Sequence, residues 1–421
     1  MIRKLLFAAA LLAAPPAALA QQVAITGGRI ITNTPQGVIE NGTVVINNGR
    51  VVSVGTAAAP AGATIIDASG KWVTPGLFAA FSRVGLTEIP SEDPANDISA
   101  GGSKFQASLH AADSFNPDDT AIDVNRIEGF TRAAIVGAPG NGLFGGYGAV
   151  VDFSGGFDSI DTRQAFMLAE LGEGGASAAG GSRAAAWTWL LTAIDDSKAY
   201  PRGFEDDGEG DLLIRKEAVA LKPVVEGRIP LMVEVHRAAD ILQLLTLRQR
   251  EPRMRLILLG ATEGWRVADQ IAAANVPVIV NPLANLPDRF EILAATLENA
   301  ARLSAAGVTV AIADPGEASH NTRFIQQLAG NAVANGMKWE DAFRAITSVP
   351  ATMYGRADLG VLRAGATADV VIWDGDPLEL MSSPDAVYID GVATPMESRQ
   401  TKLRDRYMKL NENKPQAYER P

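Results

Sequence analysis

The sequence predicts an α/β fold with two parts, a (β/α)8 TIM-like barrel and a small composite β-sandwich domain formed from both chain ends. Two observations lead to this prediction. Between residues 75 and 357, short apolar runs alternate with longer segments of helical character. Such alternation is typical of parallel strands joined by helices, and roughly 280 residues suit one barrel. On either side of that region, short β-branched runs are separated by turns.

Eight apolar runs are candidates for the strands of the barrel, numbered 1 to 8 in chain order: 76–81, 132–137, 148–153, 164–170, 230–236, 255–260, 277–281 and 308–313. Helices are predicted between them at 183–199, 212–225, 238–248, 266–275 and 289–306. Segments 90–123 and 172–210 are rich in Gly, Ser, Asp and Pro. We expect them to be long excursions after strands 1 and 4, on the face where barrel sites form.

Both chain ends contribute to the predicted β domain, with residues 21–74 as its N-terminal part and 358–398 as its C-terminal part. β-Branched runs occur at 23–25, 28–31, 42–46, 50–54 and 63–67, and again at 368–373 and 386–389. Asn47, Asn48 and Gly49 lie between two of these runs and predict a hairpin turn. The charged tail, 399–421, is predicted to contain a partly ordered helix.

The first twenty residues have the pattern of a secretory signal peptide. Arg3 and Lys4 precede an apolar run over 5–12, and Ala18-Leu19-Ala20 offers a small-x-small cleavage site. A membrane anchor is the alternative, but the run is too short to span a bilayer and prolines interrupt it. We therefore expect export, which makes the protein periplasmic or secreted.

Charge and composition restrict the possible partners. The chain carries 37 basic and 48 acidic residues, a net charge of −11; removal of Arg3 and Lys4 leaves 35 basic residues and a net charge of −13. This balance disfavours nucleic acid and anionic membranes as partners. No second apolar run predicts membrane insertion after signal cleavage. The sequence has no cysteine, which excludes thiol catalysis and thiolate metal sites.

Several segments resemble those of a known family. Residues 70–77, which precede and enter the first barrel strand, are similar to the corresponding segment of amidohydrolase superfamily enzymes. Residues 345–351 and 359–378 resemble the C-terminal signature of that superfamily. Residues 236–241 and 261–265 resemble its imidazolonepropionase-like branch. These segments occur in the expected order over nearly the whole mature chain.

The resemblance implies a metal-dependent hydrolase with one or two divalent ions, often zinc, which activate water and polarise a carbonyl group. The family's usual ligands are an H-x-H pair on strand 1, a Lys or Glu on strand 4, and His on strands 5 and 6. Here Phe81 and Arg83 take the strand-1 positions, and Gly260 takes that of the strand-6 His. Strand 4 has no Lys, and Glu170 is the only carboxylate at its end. The resemblance therefore implies a degenerate metal centre.

Three residues retain site chemistry. Glu234 and His236 alternate on strand 5 and so share one face, and Asp314 matches the family's strand-8 general base. We predict Asp314 and His236 as catalytic residues. Any bound metal, most simply one zinc ion, would use Glu234, His236 and Asp314, although no metal at all is equally compatible with the sequence.

The predicted substrate pocket contains Arg83, Glu170 and Glu263. Each candidate also has a structural interpretation. A single His at a strand end often serves only as a hydrogen-bonding residue, Asp314 could cap the following loop, and Glu263 could stabilise a helix N-terminus.

Two other patterns are weaker. Gly140-x-Gly142-x-x-Gly145 matches the dinucleotide fingerprint but precedes a strand instead of a helix, so we predict a loop over the barrel mouth and no dinucleotide binding. The acidic cluster of Asp206, Asp207, Glu209 and Asp211 lacks EF-hand spacing and is predicted to be a solvated loop.

Two functional hypotheses remain at this point. The first is an exported hydrolase of C–N bonds in small molecules, whether non-peptide, small-peptide or lactam amides, with a reduced or absent metal site. The second is a catalytically inactive barrel that acts as a binding protein or as a partner subunit of an active paralogue. A homo-oligomer or a hetero-oligomer with such a paralogue is compatible with either hypothesis.

Overall fold

The computed structural model describes residues 22–204, 212–317 and 319–408. The predicted signal peptide, the acidic cluster at 206–211 and the end of the tail lie outside these residues. Within the described ranges, no helix is both long and apolar enough to cross a membrane.

The described residues form sixteen strands: β1 (Val23–Ile31), β2 (Val38–Asn47), β3 (Arg50–Gly55), β4 (Thr64–Asp67), β5 (Trp72–Pro75), β6 (Leu77–Ser82), β7 (Phe130–Ile135), β8 (Phe144–Asp152), β9 (Ile160–Glu170), β10 (Pro230–Val235), β11 (Arg255–Gly260), β12 (Val278–Val280), β13 (Val310–Ile312), β14 (Val370–Trp373), β15 (Pro384–Ile389) and β16 (Val392–Ala393).

The helices of the same ranges are α1 (Ala111–Ser114), α2 (Thr120–Arg126), α3 (Glu173–Ala178), α4 (Arg183–Ala199), α5 (Arg215–Val225), α6 (Ala238–Arg250), α7 (Ala268–Ala273), α8 (Asn299–Ala305), α9 (Ile325–Ala334), α10 (Trp339–Ala345), α11 (Ser348–Met353) and α12 (Arg399–Met408). The last of these lies in the tail, where the sequence predicts a partly ordered helix.

The first sheet contains strands from both ends of the chain. Its order is β16-β15-β14-β5-β1-β2-β3, and β4 also pairs with β1. The antiparallel pairing of β5 with β14 joins the N-terminal strands to the C-terminal ones. The predicted turn between β2 and β3 is confirmed, since Asn48 and Gly49 have φ values of 50° and 73°, as a two-residue hairpin turn requires.

The second sheet contains all eight predicted barrel strands in the order β13-β12-β11-β10-β9-β8-β7-β6. Strand β13 also contacts β6, so that the sheet nearly closes into a barrel. β6 is buried along its whole length, as expected for a barrel strand covered on both faces. The carboxyl ends of the parallel strands therefore meet at one mouth.

The expectation of eight repeated, parallel βα units is wrong at one point. β8 is antiparallel to both β7 and β9. Residues 136–143 and 153–159, which connect these three strands, are too few for the helical crossover that parallel neighbours need. A hairpin-like insertion thus replaces one βα unit of the barrel.

The predicted helices at 183–199 and 238–248 correspond to α4 and α6, whereas the one at 289–306 is broken. Only Phe290–Ile292, a 3-10 turn, and α8 are helical in that range. The break has a local cause. The backbone N–H of Ala294 donates to Glu263, and its carbonyl accepts the indole N–H of Trp265. These two bonds hold the backbone at Ala294 outside a helical hydrogen-bonding pattern.

A buried carboxylate helps to fix the excursion that follows β6, together with backbone hydrogen bonds such as the one from Tyr147 to Leu109. Glu217 of α5 accepts the backbone N–H groups of Gln106, Ala107 and Ser108. The glycine-rich loop before β8 packs beneath the same segment, where a side chain at position 142 would collide with Gln106. The excursion and the loop consequently form one packed layer beside the mouth.

Arg132 of β7 is the largest polar side chain in the core and links the two sheets. Its guanidinium forms ion pairs with Asp369 and Asp390, which flank strands of the first sheet, and with Asp161 of β9, at 2.8, 2.8 and 2.5 Å. Burial alone would lower the pKa of Arg132, but the surrounding carboxylates raise it strongly. The cation therefore remains charged although only 1% of its side chain is exposed.

Replacing Arg132 by Met should destabilise the protein by about 3–5 kcal/mol, because the buried carboxylate of Asp369 loses its counter-ion. Urea denaturation at neutral pH measures this loss. Arg302→Met is the matched control, since Arg302 pairs with Glu298 on the surface and its loss should cost less than about 1 kcal/mol. Equal losses in the two variants would show that the Arg132 cluster does not link the sheets.

Candidate functional site

Three strand ends bring ionisable side chains together at the barrel mouth. Glu170 ends β9, Glu234 lies near the end of β10, and the two are register partners on these neighbouring parallel strands. His236 follows β10 on the same face as Glu234. Arg83 follows β6, and its charge acts on both glutamates. The structure therefore places together four residues that the sequence predicts for the site.

His236 is held on both sides of its ring. Its Nδ1 lies 2.9 Å from the hydroxyl of Thr262, and its Nε2 lies 3.5 Å from a carboxylate oxygen of Glu234. Burial would raise the pKa of Glu234, but the hydrogen bond from His236 and the charges of His236, Arg83 and Arg289 outweigh burial and lower it. Glu234 and His236 thus form a dyad with a preference for the ionised carboxylate.

The imidazole of His236 also explains the glycine at position 260. Gly260 ends β11 with φ +87°, a backbone conformation that L side chains rarely adopt, and a Cβ there would lie 2.3 Å from Cε1 of His236. The position at which the family resemblance places the strand-6 histidine is therefore filled by the ring of His236. A ligand at position 260 could not coexist with His236 in this orientation.

Glu170 lies in an acidic environment at the start of α3. A Cβ on Gly174 would overlap the Glu170 carboxylate, and a Cβ on Gly172 would lie 2.4 Å from the carboxylate of Glu291, so both glycines make room for carboxylates. Burial raises the pKa of Glu170, and the charges of Glu234 and Glu291 raise it further. Of the register partners Glu170 and Glu234, Glu170 is consequently the carboxylate that accepts a proton more readily.

Arg83 lies above an apolar surface and beside the two acids. Its guanidinium carbon is 5.6 Å from the centre of the Phe81 ring. Burial lowers the pKa of Arg83, while the charges of Glu234 and Glu170 raise it in opposition. Its Nε is buried and forms no hydrogen bond with any residue of the described ranges. Charge, and not a directional hydrogen bond at Nε, therefore relates Arg83 to the glutamates.

Glu263 has a different environment from that predicted for a pocket residue. It is 4% exposed, and its carboxylate accepts the backbone N–H groups of Ala238 and Ala294, each at 3.1 Å. Arg266 pairs with the same carboxylate at 3.2 Å. Because Ala238 begins α6, Glu263 stabilises the N-terminus of that helix, in line with its structural interpretation.

Asp314 lies just after β13, which is separated from β10 by two strands in the sheet order. One of its carboxylate oxygens accepts the backbone N–H of Gly316 at 3.1 Å, a bond that shapes the following turn. Such a contact fits loop capping, and the position at a carboxyl strand end also fits the predicted proton acceptor.

The donors at the mouth do not fit a metal centre of the family type. In the described ranges, no group of three or more His, Asp or Glu side chains is arranged to hold a metal ion. Catalytic zinc sites normally use three protein ligands. The first-strand positions hold an apolar ring and a permanent cation, and both nitrogens of His236 already face side-chain partners.

Arg289 and Glu291 belong to the mouth but are not predicted from the sequence. Glu291 is 2% exposed, accepts the N–H of Glu173 at 2.8 Å and pairs with Arg289 at 3.3 Å. Both residues fall in a segment for which the sequence predicts a continuous helix, so the pattern gives no sign that they belong to a site. A charged Arg-x-Glu before a helix break is the signal that could have indicated them.

Two cavities lie away from this mouth cluster. One, of about 550 Å³, lies between the first sheet and α10 and is lined by residues that include Arg29, Trp72 and Trp339. The other, of about 230 Å³, is lined by part of the first excursion and includes His110, whose ring lies 4.6 Å from that of Tyr147. Neither contains Glu170, Glu234 or His236 among its lining residues.

Comparisons with known proteins give a consistent family. The sequence model of the amidohydrolase family matches residues 257–400. A curated relative, amidohydrolase tasK of Hapsidospora irregularis, is 23% identical over 395 residues, which cover 84% of this chain. The match spans only 40% of that relative's length.

Solved structures extend the similarity to the fold. An amidohydrolase from Thermotoga maritima has a TM-score of 0.79 and 26% sequence identity, with 88% of this chain and 99% of that one covered. A prolidase complexed with N-methylphosphonate-L-proline has a TM-score of 0.56 and 16% identity, with 90% and 100% covered. Together, these similarities in sequence and in fold support the amidohydrolase superfamily for this chain.

Replacing Gly260 by Ala should destabilise the protein by roughly 1–3 kcal/mol more than Gly307→Ala, because the new Cβ collides with His236. Gly307 is the matched control: its φ of +85° gives the same backbone strain, but nothing lies within 4 Å of its Cβ position. Urea denaturation of both variants isolates the collision. Equal losses of stability would mean that His236 does not occupy this space.

Proposed function

We propose that this protein is an exported hydrolase that cleaves a C–N bond of a small amide, peptide or lactam at the barrel mouth, with a reduced metal centre or none. One observation carries the proposal: Arg83, Glu170, Glu234 and His236 converge from the ends of three strands at one mouth. The family name shared by the sequence model, the curated relative and the Thermotoga maritima structure supports hydrolysis of amide-type bonds.

Each of the four residues has a role in the proposed reaction. Glu170 takes a proton from water as the water oxygen attacks the substrate carbonyl carbon, a role suited to its raised pKa. The guanidinium of Arg83 stabilises the negative charge that develops on the carbonyl oxygen. The proton then passes to the nitrogen, the C–N bond breaks, and a carboxylic acid and an amine leave. Glu234 and Thr262 orient His236 beside the reacting groups.

Asp314 remains the second proposed proton acceptor, on the basis of the family resemblance. The two candidate bases have different support. The pKa of Glu170 is raised, whereas Asp314 occupies the position that the resemblance gives to the general base of strand 8. If a divalent ion such as zinc binds, Glu234, His236 and Asp314 are its proposed ligands. We assign Glu263 to the support of α6 and not to the pocket.

The proposal extends to the organisation of the whole chain. We propose that residues 1–20 direct export to the periplasm or the medium, and that the strands from both ends form a composite β domain beside the barrel. The antiparallel pairing of β5 with β14 supports the composite domain. The proposed partner at the mouth is a small-molecule substrate. The second candidate function is a non-catalytic binding barrel. The hydrolysis experiment described next also tests this alternative.

Hydrolysis of a panel of dipeptides, N-acyl amino acids and lactams by the mature protein tests the proposal. Glu170→Gln should lower kcat by about 10²–10⁴-fold on any substrate that is turned over, because the water loses its base. Asp314→Asn and His236→Ala, measured on the same substrate, assign the remaining roles. Glu340→Gln, an exposed change beside the distant cavity, is the control and should keep wild-type activity.

Two results would contradict the proposal. If no panel member is hydrolysed while a panel member still binds, the protein is a binding barrel. If turnover is unaffected by Glu170→Gln, Asp314→Asn and His236→Ala alike, the reaction occurs at another site.

A further inference from the structure

Glu170 and Glu234 present an electrostatic problem that the structure must solve. They are register partners on adjacent parallel strands, so their Cα atoms are separated by about 4.8 Å, the spacing of paired strands. Glu291 adds a third nearby carboxylate whose charge acts on Glu170. Three buried or half-buried acids at one mouth require positive charge close by, since like charges repel strongly away from water.

Three arginines supply that charge. Arg183 lies 3.7 Å from the carboxylate of Glu291, and the other two are Arg289 and Arg83. Arg289 pairs directly with Glu291 at 3.3 Å and also acts on Glu170 and Glu234. Arg83 acts on Glu234 and Glu170 from the opposite part of the sheet, at the end of β6. Because β6 and β10 are separated by three strands, Arg83 reaches the glutamates across the mouth and not from a neighbouring strand. It therefore occupies the interior of the mouth, above Phe81.

Arg83 occupies a position at which the family resemblance predicts a metal ligand. Arg83 and Phe81 stand where the family resemblance places the two histidines of the first strand, and the third missing ligand, at Gly260, is covered by His236. The ends of β9 and β10 carry carboxylates, whereas an apolar ring and a cation stand where the resemblance places the neutral nitrogen ligands of the first strand. A guanidinium has no lone pair to offer a metal and repels a divalent ion.

We infer that the guanidinium of Arg83 takes over the charge-balancing role of a divalent metal at the mouth, and that the mouth excludes such a metal as long as Arg83 is present. This inference rests on the proposed function only in taking the mouth as the active site. In this inference Arg83 is the positive charge of the mouth, and Glu170 and Glu234 are its counter-ions.

The exchange has a chemical consequence. A metal ion lowers the pKa of the water bound to it, whereas a guanidinium neither binds water as a Lewis acid nor releases its own proton near neutrality. Arg83 can polarise a carbonyl oxygen, but it cannot generate hydroxide. The proton of the attacking water must then be taken by a carboxylate, which agrees with the raised pKa of Glu170.

Zinc binding by the folded mature protein tests the inference without any substrate. Wild-type protein, Arg83→Gln, Arg83→Lys and Arg163→Gln are dialysed free of metal and titrated with zinc chloride, and binding is followed by calorimetry and by metal analysis after gel filtration. Arg163, whose partner Asp113 is exposed, lies on β9 outside the mouth and provides the matched control.

The inference predicts that wild type, Arg83→Lys and Arg163→Gln retain no zinc at the mouth. Arg83→Gln should bind one equivalent at least about tenfold more tightly than wild type, because Glu170 and Glu234 lose their cation. His236→Ala in the Arg83→Gln background should remove that gain, which locates the ion. If Arg83→Gln does not fold, as judged by circular dichroism, the wild-type and Arg83→Lys titrations decide.

Stoichiometric zinc in the wild type that His236→Ala removes would overturn the inference, as would a folded Arg83→Gln variant that excludes zinc as wild type does. Failure of the proposed function is separate from these outcomes. Zinc exclusion without any hydrolysis leaves the inference standing and removes the hydrolase, whereas hydrolysis that depends on zinc keeps the hydrolase and removes the inference.

Discussion

Near-closure of one eight-stranded sheet is the constraint from which the site of this protein follows. When β13 returns to β6, the carboxyl ends of strands that are far apart in sequence face one another across a single mouth. Arg83 and Glu234 are about 150 residues apart, yet their charges interact. The antiparallel β8 does not disturb this convergence, because β9, which follows it, again runs parallel to β10.

Charge balance then determines what the converging residues can do. Glu170, Glu234 and Glu291 would repel one another, and Arg83 and Arg289 compensate them. The same solution appears at the other buried ionic cluster, where Arg132 compensates Asp161, Asp369 and Asp390 between the two sheets. In both places an arginine stabilises neighbouring carboxylates. The guanidinium of Arg132 is buried and its cluster is structural, whereas the mouth cluster contains a glutamate with a raised pKa.

The barrel strands could be predicted from the sequence because their buried faces give continuous apolar runs, and all eight occur in the structure. The direction of β8 could not, since periodicity does not distinguish a parallel strand from an antiparallel one; only the short connections on either side indicate it. β5 was also missed as a strand of the first sheet, because the same residues lead into the barrel.

Arg83, Glu170, Glu234 and His236 could be predicted as site residues, because they lie at strand ends where the resemblance places the family's site. Site residues could not be predicted where tertiary contacts override the local helical propensity. Glu291 and Arg289 were hidden in a segment with helical composition that Glu263 and Trp265 break. The fit of His236 over Gly260 depends on a left-handed backbone that no sequence pattern reveals.

The central claim is that the guanidinium of Arg83, and not a metal ion, supplies the positive charge at the mouth. A crystal structure of the mature protein grown with excess zinc, with anomalous diffraction recorded at the zinc absorption edge, tests it most directly. The account predicts no anomalous peak near Glu234 and His236, with the guanidinium of Arg83 in density above Phe81 and facing the glutamates. A zinc peak at the mouth, with Arg83 displaced toward solvent, would contradict it.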